Sequence, residues 1–279
     1  MPKKPDVALI VHSCDRYQLL YQGFEYFFKE FWDFSIDCKY YFATEELDVE
    51  IPGFTNIKSG KGEWSDRLSY LLREQVQEKY VLYLQEDVWF NQKICKGFFT
   101  KLFEAAELNK WKQVKLHSAD IYKTTKTSSY IEGLNVALLN NSASRYLMSH
   151  QITLWERKFF IEQLTANENP WRNERRGTKR LKKNNPDILH IDYFAQNHSK
   201  PINENLENVE RANFHTISVN GMLNEEVLPF IDHLSKGDDL AQEYAEKLIY
   251  HYINGLTHDG RERPRKQDIF KKMKNWLFQ

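Results

Sequence analysis

Residues 80–90 read YVLYLQEDVWF. The first five form an unbroken apolar run of strand length, and Gln85, Glu86 and Asp87 follow at once. A short apolar run bounded by polar residues fits a strand buried on both faces. In α/β sheets, ligands sit at the carboxyl ends of such strands. Two adjacent acids at that end therefore form a candidate site, set against the ordinary reading of a solvated strand end.

The surrounding pattern supplies the rest of the sheet. VALIV (7–11), CKYYFAT (38–44), an extended piece at 54–57 and QVKLH (113–117) are expected strands. Between them, 17–32 carries Leu19, Leu20, Phe24, Phe27, Phe28 and Phe31 at helical spacing. Residues 63–77 place Trp64, Leu68, Leu71, Leu72 and Val76 on one helical face, and 94–108 reads as a third helix. This alternation predicts an α/β fold with a mainly parallel central sheet and helices on both faces. Beyond residue 118 the pattern changes. Short strands are expected over 128–150, a helix over 155–164, strands at 188–194 and 214–219, and a helix over 238–254. Asn169 and Pro170 read as a helix stop, followed by a polar loop with a cationic run over 172–183. The reading is one domain over 1–260, in two halves that meet near 118, followed by a basic amphipathic helix over 261–279.

Composition narrows the function. The 279 residues carry 39 basic and 39 acidic side chains, so there is no global positive field and no nucleic-acid partner is expected. Aromatic residues make up 14% of the chain, enough for a large core with rings left to line a pocket. Cys14, Cys38 and Cys95 are odd in number and not at metal-ligand spacing, which suits a reducing cytoplasm. The apolar run at 7–11 is too short for a signal peptide. No stretch approaches the roughly 18 apolar residues of a spanning helix, so a soluble or peripheral protein is expected.

Four further stretches bear on chemistry. In VHSCDRY (11–17), a strand runs into a polar loop where Ser13, Asp15 and Arg16 can meet a nucleotide; a plain helix cap explains them equally well. There is no G-x-G-x-x-G, which disfavours a dinucleotide site. In GKGEWSDRL (60–68), Trp64 and Arg67 can stack on and bond a nucleotide, while Ser65 or Asp66 can cap a helix. In NENPWRNERRGTKR (167–180), Trp171 and Glu174 offer a ring and a carboxylate to a sugar, with Glu174 a candidate general base; the plain reading is a surface loop whose Glu174 pairs with Arg172 or Arg175. In RPRKQDIFKKMKNWLF (263–278), cations and an apolar face suit an anionic membrane surface, and suit equally a C-terminal helix docked on the core with a charged outer face. For Glu86 and Asp87, hard oxygen ligands suit Mg²⁺ or Mn²⁺, with Asp87 the preferred ligand.

Taken in order, VALIVHSCDRY, GEWSDRLSYLL, YVLYLQEDVWF and TLWERKFFIEQLTANENPW with Glu174 behind it resemble a GT-A-type glycosyltransferase of the bacterial kind that builds surface polysaccharides. The resemblance covers roughly residues 6–220. It implies a nucleotide-sugar donor held by Ser13, Asp15, Arg16, Trp64, Asp66 and Arg67. It puts Asp87, with Glu86, in the place of a D-x-D metal motif, with Mn²⁺ or Mg²⁺ as cofactor. It implies a saccharide or lipid-linked acceptor near Trp155 and Trp171, and Glu174 as base of an inverting transfer, with Asp192 in reserve. The departures are a Gln-Glu-Asp triplet in place of Asp-x-Asp and two polar residues between Trp171 and its acid. Residues 1–117 would be the donor half and 118–260 the acceptor half. The alternatives are a nucleotidyltransferase, which would show a glycine-rich signature after the first strand, and a non-catalytic carbohydrate-binding protein, which leaves the strand-end acids unexplained.

Overall fold

A computed structural model describes residues 6–125 and 127–262. The basic C-terminal helix expected over 261–279 lies, from residue 263 on, outside the described residues. The chain divides into two compact units, Met1–Ile217 and Ser218–Gln279.

The first unit is built on an 11-stranded sheet. In chain order its elements are β1 (Val7–His12), α1 (Tyr21–Phe31), β2 (Lys39–Thr44), β3 (Thr55–Lys58), α2 (Trp64–Tyr70), β4 (Tyr80–Leu84), β5 (Val88–Phe90), α3 (Lys96–Asn109) and β6 (Gln113–His117). There follow β7 (Thr124–Thr125), β8 (Tyr130–Ile131), β9 (Leu134–Asn135), β10 (Ala137–Leu139), β11 (Thr153–Glu156), α4 (Arg157–Gln163), α5 (Pro170–Asn184), β12 (Leu189–Gln196) and β13 (Ala212–Thr216). The strand order is β3-β2-β1-β4-β11-β6-β12-β10-β7. β13 adds beside β12, and β5 pairs with β13.

β1, β2, β3 and β4 are mutually parallel, as the alternation predicts. The sheet as a whole is mixed, which corrects the mainly parallel expectation. β11 inserts antiparallel between β4 and β6, and β10 lies antiparallel to β12. The TLWE segment, expected to open a helix, is that inserted strand; its β-branched and aromatic residues fill a central, doubly buried position. Helices do cover both faces. On one face Ala8, Ile10, Val81, Tyr83 and Trp155 form a continuous core with Trp64 and Leu68 of α2, Phe160 of α4 and Leu181 of α5. Neighbouring strand residues point to opposite sides. Phe42, next to Ala43 of that core, accordingly meets Phe24 of α1 on the other face, 5.6 Å between ring centroids. Gly23 of α1 lies so close to the Trp89 ring that any Cβ there would collide with it.

Local signals set the helix ends. α2 runs on into a π-type turn at 71–75, which ends the helical stretch expected to reach 77. α4 starts at Glu156, whose carboxylate accepts from Phe159 N. α5 starts at Asn169, whose Oδ1 accepts from Arg172 N at 2.9 Å, with Pro170 in the first turn. Residues expected to form a polar loop are thus a 15-residue helix. Pro at the first helical position lacks only a donor that would be unpaired anyway.

The second unit opens with a hairpin of β14 (Ser218–Val219) and β15 (Met222–Leu223). Asn220 and Gly221 turn it with φ of 54° and 75°, the left-handed pair that a tight hairpin demands. α6 (Leu228–Leu234) and α7 (Asp239–Ile253) then pack together. Asp238 caps α7 by accepting from Ala241 N, so the helix expected over 238–254 forms.

Candidate functional site

The parallel register brings the carboxyl ends of β1, β2 and β4 side by side, Val11 opposite both Phe42 and Leu84. The chain leaves β1 through Ser13, whose hydroxyl donates to Ala43 O at 2.6 Å. Asp15 accepts from Glu45 N at 2.9 Å, Glu46 N at 2.9 Å and Leu47 N at 3.2 Å. It therefore pins the turn after β2, and Ser13 fastens the strand end beside it. Arg67, only 5% exposed, reaches from α2 into this corner. Its Nη2 donates to Ser13 O at 3.3 Å, and its Nη1 lies 2.8 Å from Glu45 Oε1, an ion pair not aligned as a hydrogen bond. Arg16 is exposed, and its guanidinium lies over the Tyr17 ring at 5.4 Å.

The two strand-end acids face this corner. Glu86 is 3% exposed, and its Oε2 has no partner among the described residues. Burial first, then the neighbouring Asp87 charge, pushes its carboxyl well above the usual carboxylate range. Burial also raises Asp87, to about 7. Arg16 and Glu86 both act on Cys14, whose thiol is raised to about 12 chiefly by burial, and on Tyr17. The Cys14 thiol is therefore not a nucleophile at neutral pH.

Among the described residues, no three His, Cys, Asp or Glu side chains are grouped to hold a metal. The chemistry of Glu86 and Asp87 nevertheless fits a hard cation that takes one or two protein carboxylates and fills its shell from phosphate and water. The unpartnered, buried Glu86 oxygen is the observation that favours such an occupant, because a buried polar atom without a partner is costly.

A second polar cluster lies deeper on the same sheet face. Lys115 of β6 is fully buried, and its Nζ donates to Ser149 Oγ at 2.7 Å. Burial pulls the ammonium down to about 7, against the opposing pull of Glu174. Tyr122 OH lies 3.2 Å from both Ser149 Oγ and His117 Nε2. Glu174 of α5 accepts from His150 N at 3.2 Å, and burial raises its carboxyl. The two clusters are joined by rings. Trp64 packs on His150 with centroids 4.0 Å apart and on His12 at 5.6 Å, and Tyr83 lies near both imidazoles. Burial keeps both histidines neutral, His150 being lowered to about 3.

The remaining expected residues are placed as follows. Trp64 is 8% exposed and lies between imidazoles. Asp66 accepts from Asn167 N at 3.1 Å, tying α2 to the segment before α5. Trp171 is 57% exposed in the first turn of α5. Trp155, expected on an acceptor-side helix, is instead a fully buried strand residue stacked on Phe160 at 4.4 Å. Asp192 is fully buried. Its Oδ1 accepts from Ser118, and its Oδ2 accepts from Ile202 N at 3.1 Å and Asn203 N at 2.6 Å. Those bonds hold a loop and occupy the reserve base.

Sequence reasoning missed Glu45, Lys115 and His150. Lys115 had a signal: Gln113, Lys115 and His117 alternate with Val114 and Leu116, a polar stripe on one face of a buried strand. Glu45 and His150 had none, because their partners are remote in sequence.

No family model matches the chain, and no curated protein matches it. Among solved structures, a crystal structure of S. aureus TarS matches with a TM-score of 0.47 and 8% identity, covering 98% of this chain and 47% of that one. A crystal structure of S. aureus TarS 1-349 matches with a TM-score of 0.44 and 9% identity, covering 98% of this chain and 78% of that one. The chain spans about half the length of the first of these. At these scores and identities the likeness carries no argument about activity.

Proposed function

We propose that the chain is a glycosyltransferase that moves a sugar from a nucleoside-diphosphate donor to a hydroxyl of a saccharide or lipid-linked acceptor. The observation that carries this reading is the buried Glu86 carboxylate, with one oxygen unpartnered, beside Asp87 and within electrostatic reach of Arg67 at the carboxyl ends of parallel strands. Ligands of α/β sheets bind at that place, and cations and carboxylates together there suit a diphosphate and its counter-ion.

In this reading Glu86 and Asp87 hold Mn²⁺ or Mg²⁺, and Arg16 with Arg67 faces the diphosphate. Ser13 and Asp15 shape the nucleotide pocket by fixing the loop, and Trp64 and Asp66 fix the start of α2 beside it. The bound ion would neutralise charge on the departing diphosphate. The raised carboxyl of Glu174 brings it towards the pKa that suits a general base, so it takes the proton of the attacking hydroxyl in an inverting displacement. Trp171, exposed on the same helix, offers a ring to the acceptor. No described helix is long and apolar enough to cross a membrane. A cytoplasmic enzyme of surface-polysaccharide synthesis, peripheral on an anionic membrane through 261–279, completes the proposal.

A thermal-shift panel of nucleoside diphosphates and nucleotide-sugars, with and without Mn²⁺, tests it. At least one nucleoside diphosphate is expected to raise the unfolding temperature. No response to any of them sinks the reading. Glu174→Gln should retain the donor response and lose transfer, and transfer that survives removes Glu174 as base.

A further inference from the structure

At the end of the sheet away from the strand-end acids, five and six strands beyond β1, a cavity of about 580 Å³ opens between the ends of β10 and β7 and the C-terminal end of α5. That volume falls in the range of small-molecule sites, about 300–1,000 Å³. Its wall is built around Asn141, which is 6% exposed. The Asn141 Nδ2 donates to Asn185 Oδ1 at 3.1 Å and to Pro186 O at 2.7 Å, which aligns the amide. Its Oδ1 is buried and has no partner among the described residues. Asn185 holds a left-handed conformation, φ 45°, at the end of α5, so the helix terminus itself presents this side chain. Asn140 Oδ1 accepts from Ser142 Oγ at 2.8 Å and Ala143 N at 3.1 Å, which fixes the opposite turn.

The chemistry of this lining is distinctive. It has amide and hydroxyl groups in fixed orientations, and Leu138, Leu139 and Pro186 as apolar surface. It has one cation, Lys182, and one anion, Asp187, so a singly charged ligand gains no net attraction. A ring that carries hydroxyls around its edge and C–H groups on its faces matches both parts of the wall. We propose that this cavity binds a small neutral saccharide. Asp187 accepts from a sugar hydroxyl, the exposed Ser142 and Asn185 side chains offer further partners beside the aligned Asn141 amide, and Leu138 meets the C–H face. The site is separate from the strand-end acids and stands whether or not the chain transfers sugar there.

Saturation-transfer NMR on the full chain with glucose, galactose, N-acetylglucosamine, lactose and maltose tests the proposal. At least one of these sugars is expected to show transfer. Ser142→Trp fills the cavity from an exposed position, and Asp187→Ala removes an acceptor. Each should weaken the binding about tenfold or more, a loss of roughly 1.4 kcal/mol, with the unfolding midpoint and any nucleoside-diphosphate response unchanged. Inorganic phosphate at the same concentration should not displace the sugar. The proposal is overturned if no sugar of the panel binds, if both variants bind like the parent, or if phosphate displaces the sugar.

Discussion

Two buried glutamates of the first unit have opposite surroundings. Glu168, just before α5, has a side chain only 1% exposed. Arg180 Nη2 donates to its Oε2 at 3.0 Å and Asn173 Nδ2 to the same oxygen at 2.9 Å, while Arg176 lies 3.7 Å from Oε1. Burial alone would raise its carboxyl, but the bonds from Arg180 and Asn173 outweigh burial and hold it below the usual range. Glu86 is buried to a similar degree, and its carboxyl is driven the other way, with one oxygen unpartnered. Glu168 is compensated from within the chain and fastens α5 to the fold. Glu86 lacks that compensation, so it is the carboxylate whose state an added cation can change. Burial by itself does not separate structural from functional charge; the partners do.

Removing one partner from Glu168 gives the largest expected effect. Arg180→Met strips two donors, at 3.0 and 3.1 Å, from a buried carboxylate and leaves it only Asn173 and the longer Arg176 contact, and breaking a buried pair in this way costs about 3–5 kcal/mol. Urea denaturation should show the midpoint fall. An unchanged midpoint would make the two glutamates alike. The converse change comes next. Glu86→Gln removes a carboxyl whose ionised form burial disfavours, so the variant should be the more stable protein, by a margin that grows as pH rises and Glu86 ionises. Destabilisation instead would mean that Glu86 already has a partner.

The pH dependence sharpens the contrast. Glu86 has a raised folded pKa, so its favourable contribution is complete below the unfolded value of 4.5 and is lost as pH rises through the folded value. Glu168 has a lowered folded pKa, so its contribution is present above 4.5 and is lost as pH falls through the folded value. The gap between Glu86→Gln and the parent should therefore widen on going up from pH 4.5, and the gap for Arg180→Met should close on going down. Unfolding midpoints measured across pH 3–9 check both signs. The smallest effect is that of the ion alone. Mn²⁺ at ten times its Kd should stabilise the parent at pH 8 by about 1.4 kcal/mol, and Glu86→Gln should lose most of that gain. Equal stabilisation of both proteins would place the ion elsewhere.

Much of the first half was legible because its signals are local. VALIV, YVLYL and QVKLH are strands within a residue of their expected ends, and the phenylalanines of α1 announce their face. The segments that misled have weak or remote signals. The inward face of α5 is Asn173, Gly177 and Leu181, two of them not hydrophobic, so the helical period is nearly invisible among the cations. Gly177 is required by the Met148 side chain, which a Cβ would approach to 2.7 Å, and no local rule reports that neighbour. The antiparallel place of β11 depends on β4 and β6, which lie far off along the chain. At the site, the strand-end acids and Arg67 were visible as residue types. That Arg67 pairs with Glu45 while Glu86 keeps an unpartnered oxygen is a property of the assembled corner.

The inserted strand has a consequence for how the chain is made. β4 and β6 both lean on β11, which is synthesised after them. Until residues 153–156 emerge from the ribosome, the facing edges of β4 and β6 are open, and open strand edges invite pairing with other chains. Pairings so distant along the chain also form slowly. The nascent protein therefore passes through a stage in which its apolar centre is split in two, and β11 is the piece that closes it, which makes the interval before its arrival the one in which a holding chaperone has most to bind.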